Sequence, residues 1–407
     1  MPYDKKLNQF QIAQTNKYNV YRCLIREGPI NRAAIAKRMD LSIPTVMAIV
    51  DDLFKKKIVR SMGKGEFGVG KQPEILEIEP ERFFFIGADI GRGTIRIVMN
   101  NAVGEQIACM REPTGDPFPG REFIAHVQKL ILQFVEQRRI DASHILGAGI
   151  AMPGLIERGT GKVIIAPDFG WKDIPLQDWL QENVPYPVLV KNSTHALAVN
   201  ESYIPGVDDV HTTFCVNLGY GIGAAIITGE DLYDGTGGIS GELGHCVVDR
   251  DGPLCKCGNI GCLEAVASGE AIARQAQTII AHHGRSMMTE LCGGNAANID
   301  AKMVFEAANA GDNPALKIIN TAAMYIGIGI SMAVNILDPD RVVICGGLMR
   351  NGPYFFERIR ASMEEHVVTR SSRSLLLSAG TGGEYSTANG ACRVLVNTLW
   401  VQRALPI

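Results

Sequence analysis

Between positions 241 and 264 the chain reads Gly-Glu-Leu-Gly-His, a spacer, and then Cys-Lys-Cys-Gly-Asn-Ile-Gly-Cys-Leu-Glu. Cys255, Cys257 and Cys262 crowd into eight residues, the first of them ten positions after His245. One imidazole and three thiolates are the four soft donors of a closed tetrahedral zinc site, with no position left for a catalytic water. The glycines between them let the loop fold back on the ion. A structural Zn2+ there turns metal-binding free energy into local folding free energy, whereas unligated exposed thiols this close together invite oxidation. Glu242 precedes His245 by three and Glu264 follows Cys262 by two, so both carboxylates are held beside the metal scaffold. Carboxylates fixed on a rigid frame can accept hydrogen bonds from several hydroxyls of a polyol. The motif reads as a sugar pocket supported by zinc, not as zinc catalysis.

The other cysteines do not make a disulfide framework. Ten are dilute in 407 residues, and Cys23, Cys109, Cys215 and Cys345 sit inside apolar runs, as reduced core thiols do. The length exceeds what one core organises, so two or three domains are expected. With 46% hydrophobic and 20% charged residues, disorder, collagen and coiled coil are poor global descriptions. No uninterrupted apolar stretch reaches the ~18 to 20 residues of a membrane span; residues 325–337 come nearest and are broken by glycine, serine and asparagine. The first residues contain no apolar leader core. A soluble, cytoplasmic protein with no membrane partner is expected.

The net charge of −3 hides an asymmetry. Residues 1–73 hold fourteen Lys and Arg against six acids, a net of +8, which leaves −11 on the remainder. A basic head on an acidic body is the footprint of one module that meets a polyanion. Local pattern gives the head a shape. Residues 16–26 form a helical stretch with Val20, Cys23 and Leu24 on one side, stopped by Gly28-Pro29. Asn31 caps a second short helix with an apolar stripe at Ala34, Ile35 and Met39. After the turn at Asp40-Leu41, Ser42 caps a third helix whose predicted buried face is Ile43, Val46, Val50, Leu53 and Phe54. This is a helix-turn-helix, in which Thr45, Met47 and Ala48 face outward toward base edges while Arg32 and Lys55 meet phosphates. Residues 58–60 and 75–78 read as two strands of a wing around a glycine-rich loop. That loop, with Lys64, Lys71 and Gln72, suits a minor groove. Tri-helical segments also serve as protein-docking domains, so a regulator controlled by a protein partner is an alternative.

From position 83 the texture becomes α/β. Residues 83–88 and 94–99 form a hairpin around a glycine turn, and strand-like runs recur at 146–152, 188–190, 213–218, 223–227 and 342–345. Helical stretches lie near 122–137, 195–203, 271–283 and 302–336, which implies layers of helix on an internal sheet. The glycine turns at 218–223 and 345–347 have the composition of phosphate cradles, although glycine pairs also simply permit tight turns.

Glu242-x-Gly244-His245 with Cys255-x-Cys257-Gly258-x-x-Gly261-Cys262-x-Glu264 resembles the signature of the ROK family of repressors and sugar kinases. Residues 146–155, 166–171 (Ala-Pro-Asp-Phe-Gly-Trp), 190–192, Leu337-Asp338-Pro339 and Gly346-Gly347 follow the family's order, and the leading helix-turn-helix is similar to that of the repressor branch. The resemblance implies a winged helix-turn-helix at residues 1–80 and an actin-like, ribonuclease-H-like sugar-kinase body in two α/β lobes. Those lobes are expected at 81–192 and 193–407, the second carrying the zinc loop and the C-terminal helices. It also implies a homodimer or homotetramer on a double-stranded DNA operator, and a sugar or sugar-phosphate effector touched by Gly154, Asp168, Asn192, Ser193, Glu242, His245 and Glu264.

Three departures bear on catalysis. Kinases of the family follow the strand near 188–190 with Asn-Asp, whose Asp is the general base, whereas this chain has Asn192-Ser193. Gly93 stands where the first phosphate loop carries Thr, and Tyr220 replaces the Thr of the second. Loss of the base alone is expected to cost ~10² to 10⁴ in rate. The sequence therefore points to a regulator that is not an enzyme, most simply a repressor of carbohydrate-utilisation genes. The alternative is an ATP-dependent sugar kinase with a DNA-binding head. Asp168 occupies a position commonly Asn in sugar-binding members. The wing here reads Gly70-Lys71-Gln72-Pro73 where the family has Gly-Gly-Arg-Pro.

Overall fold

The computed structural model describes residues 9–64, 73–115, 120–202, 210–229, 231–283, 286–368, 375–402 and 404–407. By internal packing the chain forms two compact units, one of residues 1–152, 175–191 and 391–407, the other of residues 153–174 and 192–390.

The first unit opens with three helices, α1 (Gln9–Glu27), α2 (Arg32–Met39) and α3 (Ile43–Lys55). Their ends are where the capping residues put them. The Asn31 side chain accepts from Ala34 N at 2.9 Å, and Asp40 turns left-handed at φ 50 to close α2. Ser42 Oγ accepts from Thr45 N at 3.3 Å to open α3, whose first turn carries Pro44. α1 begins well before position 16 because residues 9–15 contain no breaker. Val20, Cys23, Leu24, Ile35, Val46, Val50 and Leu53 form the small core. Ile43 does not join it: as the first residue of α3 it stands out in solvent at 53% exposure. Three strands, β1 (Ile30–Asn31), β2 (Val59–Lys64) and β3 (Glu74–Ile78), pair antiparallel in the order β1-β3-β2 and complete a winged helix-turn-helix. The wing residues Lys71 and Gln72 lie outside the described residues, and of Lys64 only the backbone is described.

Behind the head is a five-stranded mixed sheet. Its central strand, Phe84–Ile90, is buried along its whole length. It pairs antiparallel with Thr94–Asn101 and parallel with Ile145–Met152. The C-terminal helix lies so close to this sheet that a Cβ on Gly149 would fall 2.1 Å from the Ala391 carbonyl. Near its end the Trp400 ring packs against Tyr18 at 5.0 Å and Tyr21 at 5.6 Å, with the Arg22 guanidinium 5.6 Å from its centre. The chain's last helix is thereby built into the packing of α1.

The second unit contains another five-stranded sheet. Thr212–Leu218 pairs antiparallel with Ile222–Thr228 and parallel with Arg341–Cys345, with short edge strands outside. The helix Asn313–Leu337 covers it, burying Ile318, Ala322, Ile326, Ile330 and Val334. That helix has the length and mean hydropathy of a membrane span but serves here as a core helix. The continuous helix expected over 302–336 is broken at Gly311-Asp312. Asp312 caps the new start by accepting from Ala315 N at 2.9 Å, and Pro314 sits in its first turn. A three-stranded meander, Leu155–Ile156, Val163–Ala166 and Trp171–Ile174, completes the unit around the buried Trp171.

Candidate metal centre and ligand pocket

Every candidate effector and metal residue belongs to the second unit. His245 ends the one-turn helix Leu243–His245, which is pressed onto the strand Ile222–Thr228 by two glycines. A Cβ on Gly244 would meet the Ile222 carbonyl at 2.1 Å, and one on Gly241 the Ala224 carbonyl at 2.3 Å. The following loop doubles back through short antiparallel bridges, Val247 with Cys262 and Leu254 with Ile260. Gly261, at φ 74, passes so close to the Asp249 carbonyl that a Cβ would lie 1.5 Å from its oxygen. Asp249 is in turn tied to the core helix, its carboxylate accepting from Tyr325 Oη at 2.9 Å.

This folding brings His245, Cys255, Cys257 and Cys262 together, with all four donor atoms within 4.8 Å of one another. The separations fit one ion: His245 Nδ1 to Cys255 Sγ and Cys257 Sγ to Cys262 Sγ are both 3.6 Å. A tetrahedral ion with metal–sulfur bonds of ~2.3 Å sets its donors ~3.7 Å apart. Cys246, next to His245 in sequence, points elsewhere, its thiol 3.9 Å from the Glu242 carbonyl. Burial and the neighbouring thiols push Cys262 up to about 12, and a metal bound here would take the place of its proton. The imidazole uses its Nδ1 toward the cluster and leaves Nε2 facing Glu242, 3.8 Å away. Burial raises the Glu242 carboxyl, His245 counters it, and the charge of Glu264 adds to the rise.

The other candidate residues gather around the same turns. Glu264 lies in the first turn of the helix Leu263–Ala267 and accepts from Ile222 N at 2.9 Å. Asn192 caps the helix Ser193–Ser202. Its Oδ1 accepts from the backbone of Thr194 and His195 at 2.8 and 3.1 Å, and its Nδ2 donates to the Gly154 carbonyl at 2.8 Å. Gly154 can be nothing but glycine, since at φ 110 a Cβ would sit 2.5 Å from the Ile165 carbonyl. Ser193, where a kinase of the family has its base, is the first residue of the capped helix. A nearby carboxylate on this helix's side belongs to Asp234, 3.8 Å from His195 Nδ1 and 3.4 Å from Arg158 Nε.

Asp168, on the turn Pro167–Phe169, is paired with Lys256, which stands between two of the clustered cysteines and has no role legible in the sequence. Lys256 also pairs with Glu270, and its ammonium lies 5.1 Å from the centre of the Tyr220 ring. The Tyr220 hydroxyl donates to Glu270 Oε1 at 2.7 Å. Its place in the second glycine turn is thus occupied by an anchored ring. In the first unit, Asp89 of the other glycine turn is buried against Arg96, whose Nη1 donates to it at 3.4 Å. Burial pushes Asp89 up to about 6, with the Arg96 charge opposing.

In the head, Met47 and Ala48 are exposed at the start of α3, Lys55 is exposed at its end, and Thr45 Oγ1 is hydrogen-bonded to Ser42 Oγ. Arg32 does not project: its guanidinium is tied to Glu74 and Asp51 and lies over the Phe54 ring.

A family profile described as ROK family matches residues 85–397. The chain belongs to the ROK family. Within that family it is 30% identical over 355 residues to a protein of Caldicellulosiruptor bescii named xylose repressor, spanning 87% of this chain and 88% of that one. It is 31% identical over 288 residues to a glucokinase of Halalkalibacterium halodurans, covering 70% and 87% of the two chains. In structure it superposes on a crystal structure titled as a ROK family transcriptional regulator, homologue of the Escherichia coli Mlc protein. That match has a TM-score of 0.81 at 24% identity and covers 96% of this chain and 98% of the other. The fold is thus a winged helical head on a ROK body of the kind shared with sugar kinases.

Proposed function

We propose that this ROK protein is a cytoplasmic, homo-oligomeric transcriptional repressor of carbohydrate-utilisation genes, whose operator affinity is set by a small sugar or sugar phosphate, and that it is not a kinase. The observation that carries the reading is the state of the phosphate turns. Tyr220 is anchored by Glu270 where a phosphate would need open backbone N–H groups. Asp89 is held by Arg96, and a serine stands beside Asn192 where a base is needed. Names borne by relatives, xylose repressor among them, point the same way.

In this reading the head over residues 1–80 places Met47, Ala48 and Thr45 at base edges. Lys55 meets the backbone, Lys64, Lys71 and Gln72 of the wing enter a minor groove, and Arg32 fixes the wing to α3. Zn2+ would be held by His245, Cys255, Cys257 and Cys262, and what it supplies is rigidity. Gly154, Asp168, Asn192, Ser193, Glu242, His245 and Glu264 form the sugar pocket. A sugar bound there acts only through its differential affinity for the operator-binding and operator-free arrangements, ~1 to 3 kcal/mol in typical allosteric systems. On operator fragments selected from random DNA, the effective sugar is therefore expected to weaken binding ~5- to 150-fold. Incubation with ATP, magnesium and a panel of hexoses is expected to give no turnover. Steady sugar phosphorylation would overturn the reading, as would operator affinity indifferent to every sugar tried.

A further inference from the structure

The solvent side of α3 is apolar where a surface helix is ordinarily charged. Residues 41–50 read Leu-Ser-Ile-Pro-Thr-Val-Met-Ala-Ile-Val and contain no charged residue, no amide side chain and no histidine. Val46 and Val50 are fully buried, whereas Ile43 is 53% and Met47 47% exposed, with Pro44 and Ala48 exposed beside them. Ile43 and Met47 stand four apart and share one side of the helix, as do Pro44 and Ala48. The two hydroxyls of this stretch, on Ser42 and Thr45, are bonded to each other at 2.7 Å. Charge returns only further along, at Asp51, which is paired with Arg32, and at the exposed Lys55.

Base pairs in the major groove differ in their donors and acceptors, which Arg, Lys, Asn, Gln, Asp and Glu side chains read. The first two turns of α3 offer none of these. An apolar side chain can recognise one feature there, the C5 methyl of thymine, which no other standard base carries. The surroundings favour DNA over an apolar protein partner. Residues 1–73 have a net charge of +8, and the exposed Lys37 of α2, with Lys55 and Lys57 at and beyond the end of α3, supplies cations for the phosphates that flank a groove.

We infer that α3 reads its operator through thymine methyls, with Ile43 and Met47 as the specificity-determining side chains and A·T pairs as the bases they select. The inference rests on the proposed operator-binding function and names the base class that function recognises. Ile43 and Met47 lie one turn apart, about 6 Å along the helix axis, against ~3.4 Å between base pairs. Each therefore meets a different pair when the helix lies along the groove. Burying one methyl is worth about fourfold in affinity, so the two together give about 15-fold in each half-site.

The test starts from duplexes that the full-length protein selects out of a random-sequence pool. The selected duplex is resynthesised with deoxyuridine for every thymidine, which removes the methyls and leaves Watson–Crick pairing intact. Affinity is expected to fall about 15-fold or more. Single replacements should confine the loss to the contacted pairs. At one of these Met47→Ala is expected to erase the preference for thymine over uracil, and Ile43→Ala at another, each with the uracil duplex bound nearly as before. A merely structural role would weaken both duplexes by one factor. The replacement scan on the unaltered protein keeps the test valid if a variant folds poorly. Equal affinity for the thymine and uracil duplexes, selected half-sites without thymine, losses spread evenly along the duplex, or two variants that both keep the full preference would overturn the inference and leave operator binding standing. Enrichment of no sequence from the pool would remove both.

Discussion

Cys262→Ser is expected to strip the protein of its metal and to release the loop of residues 246–262. Purified wild-type protein should carry about one zinc per chain and the variant close to none, since a hydroxyl is a poor substitute for a thiolate in a soft tetrahedral set. The free energy at stake is large: structural zinc in isolated finger peptides contributes ~10 to 16 kcal/mol of apparent binding, all of it available for folding. Here the surrounding unit is already built on its own sheet and on the helix Asn313–Leu337, so the loss falls on the loop. Hydrogen exchange at 246–262 is expected to accelerate by orders of magnitude while the amides of α1 to α3 are unchanged. Operator binding should persist and the sugar response should fail, because Glu242 and Glu264 flank the released segment. Cys246→Ser is the internal control, its thiol being turned away from the four donors; it should retain metal. Stoichiometric zinc in Cys262→Ser, or a loop that exchanges as slowly as before, would contradict the assignment.

That site was legible because its donors are close in the chain: Cys255 to Cys262 span eight residues, and only a return bend is needed to reach His245. The caps of the head were legible for the same reason. Asn31 and Ser42 act on amides three residues away, and such local chemistry does not depend on the rest of the fold. Ile43 was misplaced because a helical stripe counts positions and ignores that the first turn of α3 overhangs its neighbours.

The pairing of Lys256 with Asp168 was not readable at all. The two are 88 residues apart, and between the clustered cysteines any residue type could stand. A signal did exist in hindsight: Asp at a position commonly Asn introduces a charge, and a partly buried charge wants a partner. For Asn192 the family resemblance implies a pocket role, but capping a helix while holding the Gly154 carbonyl depends on a meander that only the fold brings near. Asp89 is a similar case, its charge state set by burial and by Arg96, neither of which the neighbouring glycine turn reveals.

Asp89→Asn is expected to stabilise the first unit near pH 8 and to lose that advantage in acid. Burial lifts the Asp89 carboxyl from the ordinary value of 3.8 to about 6 in the folded state, the Arg96 charge opposing without prevailing. A folded pKa raised above the unfolded one means that the native state binds the proton more tightly. Its favourable contribution is complete below about pH 4 and disappears as pH rises through 6. Above that, the ionised carboxylate burdens the fold by up to ~3 kcal/mol, from roughly two pKa units at 1.36 kcal/mol each. Asparagine removes the charge and keeps the shape. It also removes the Asp89 charge from beside Arg96, but that side chain is 21% exposed and water can reach it, so a net gain of ~1 to 2 kcal/mol is expected. Denaturant titration at pH 5 and pH 8, followed by hydrogen exchange of the strand Phe84–Ile90, would read the difference on the correct unit. The variant should be the more stable at pH 8 and close to wild type at pH 5. A variant weaker than wild type at pH 8, or a difference independent of pH, would mean that the Arg96 pair outweighs burial and that Asp89 is ionised after all.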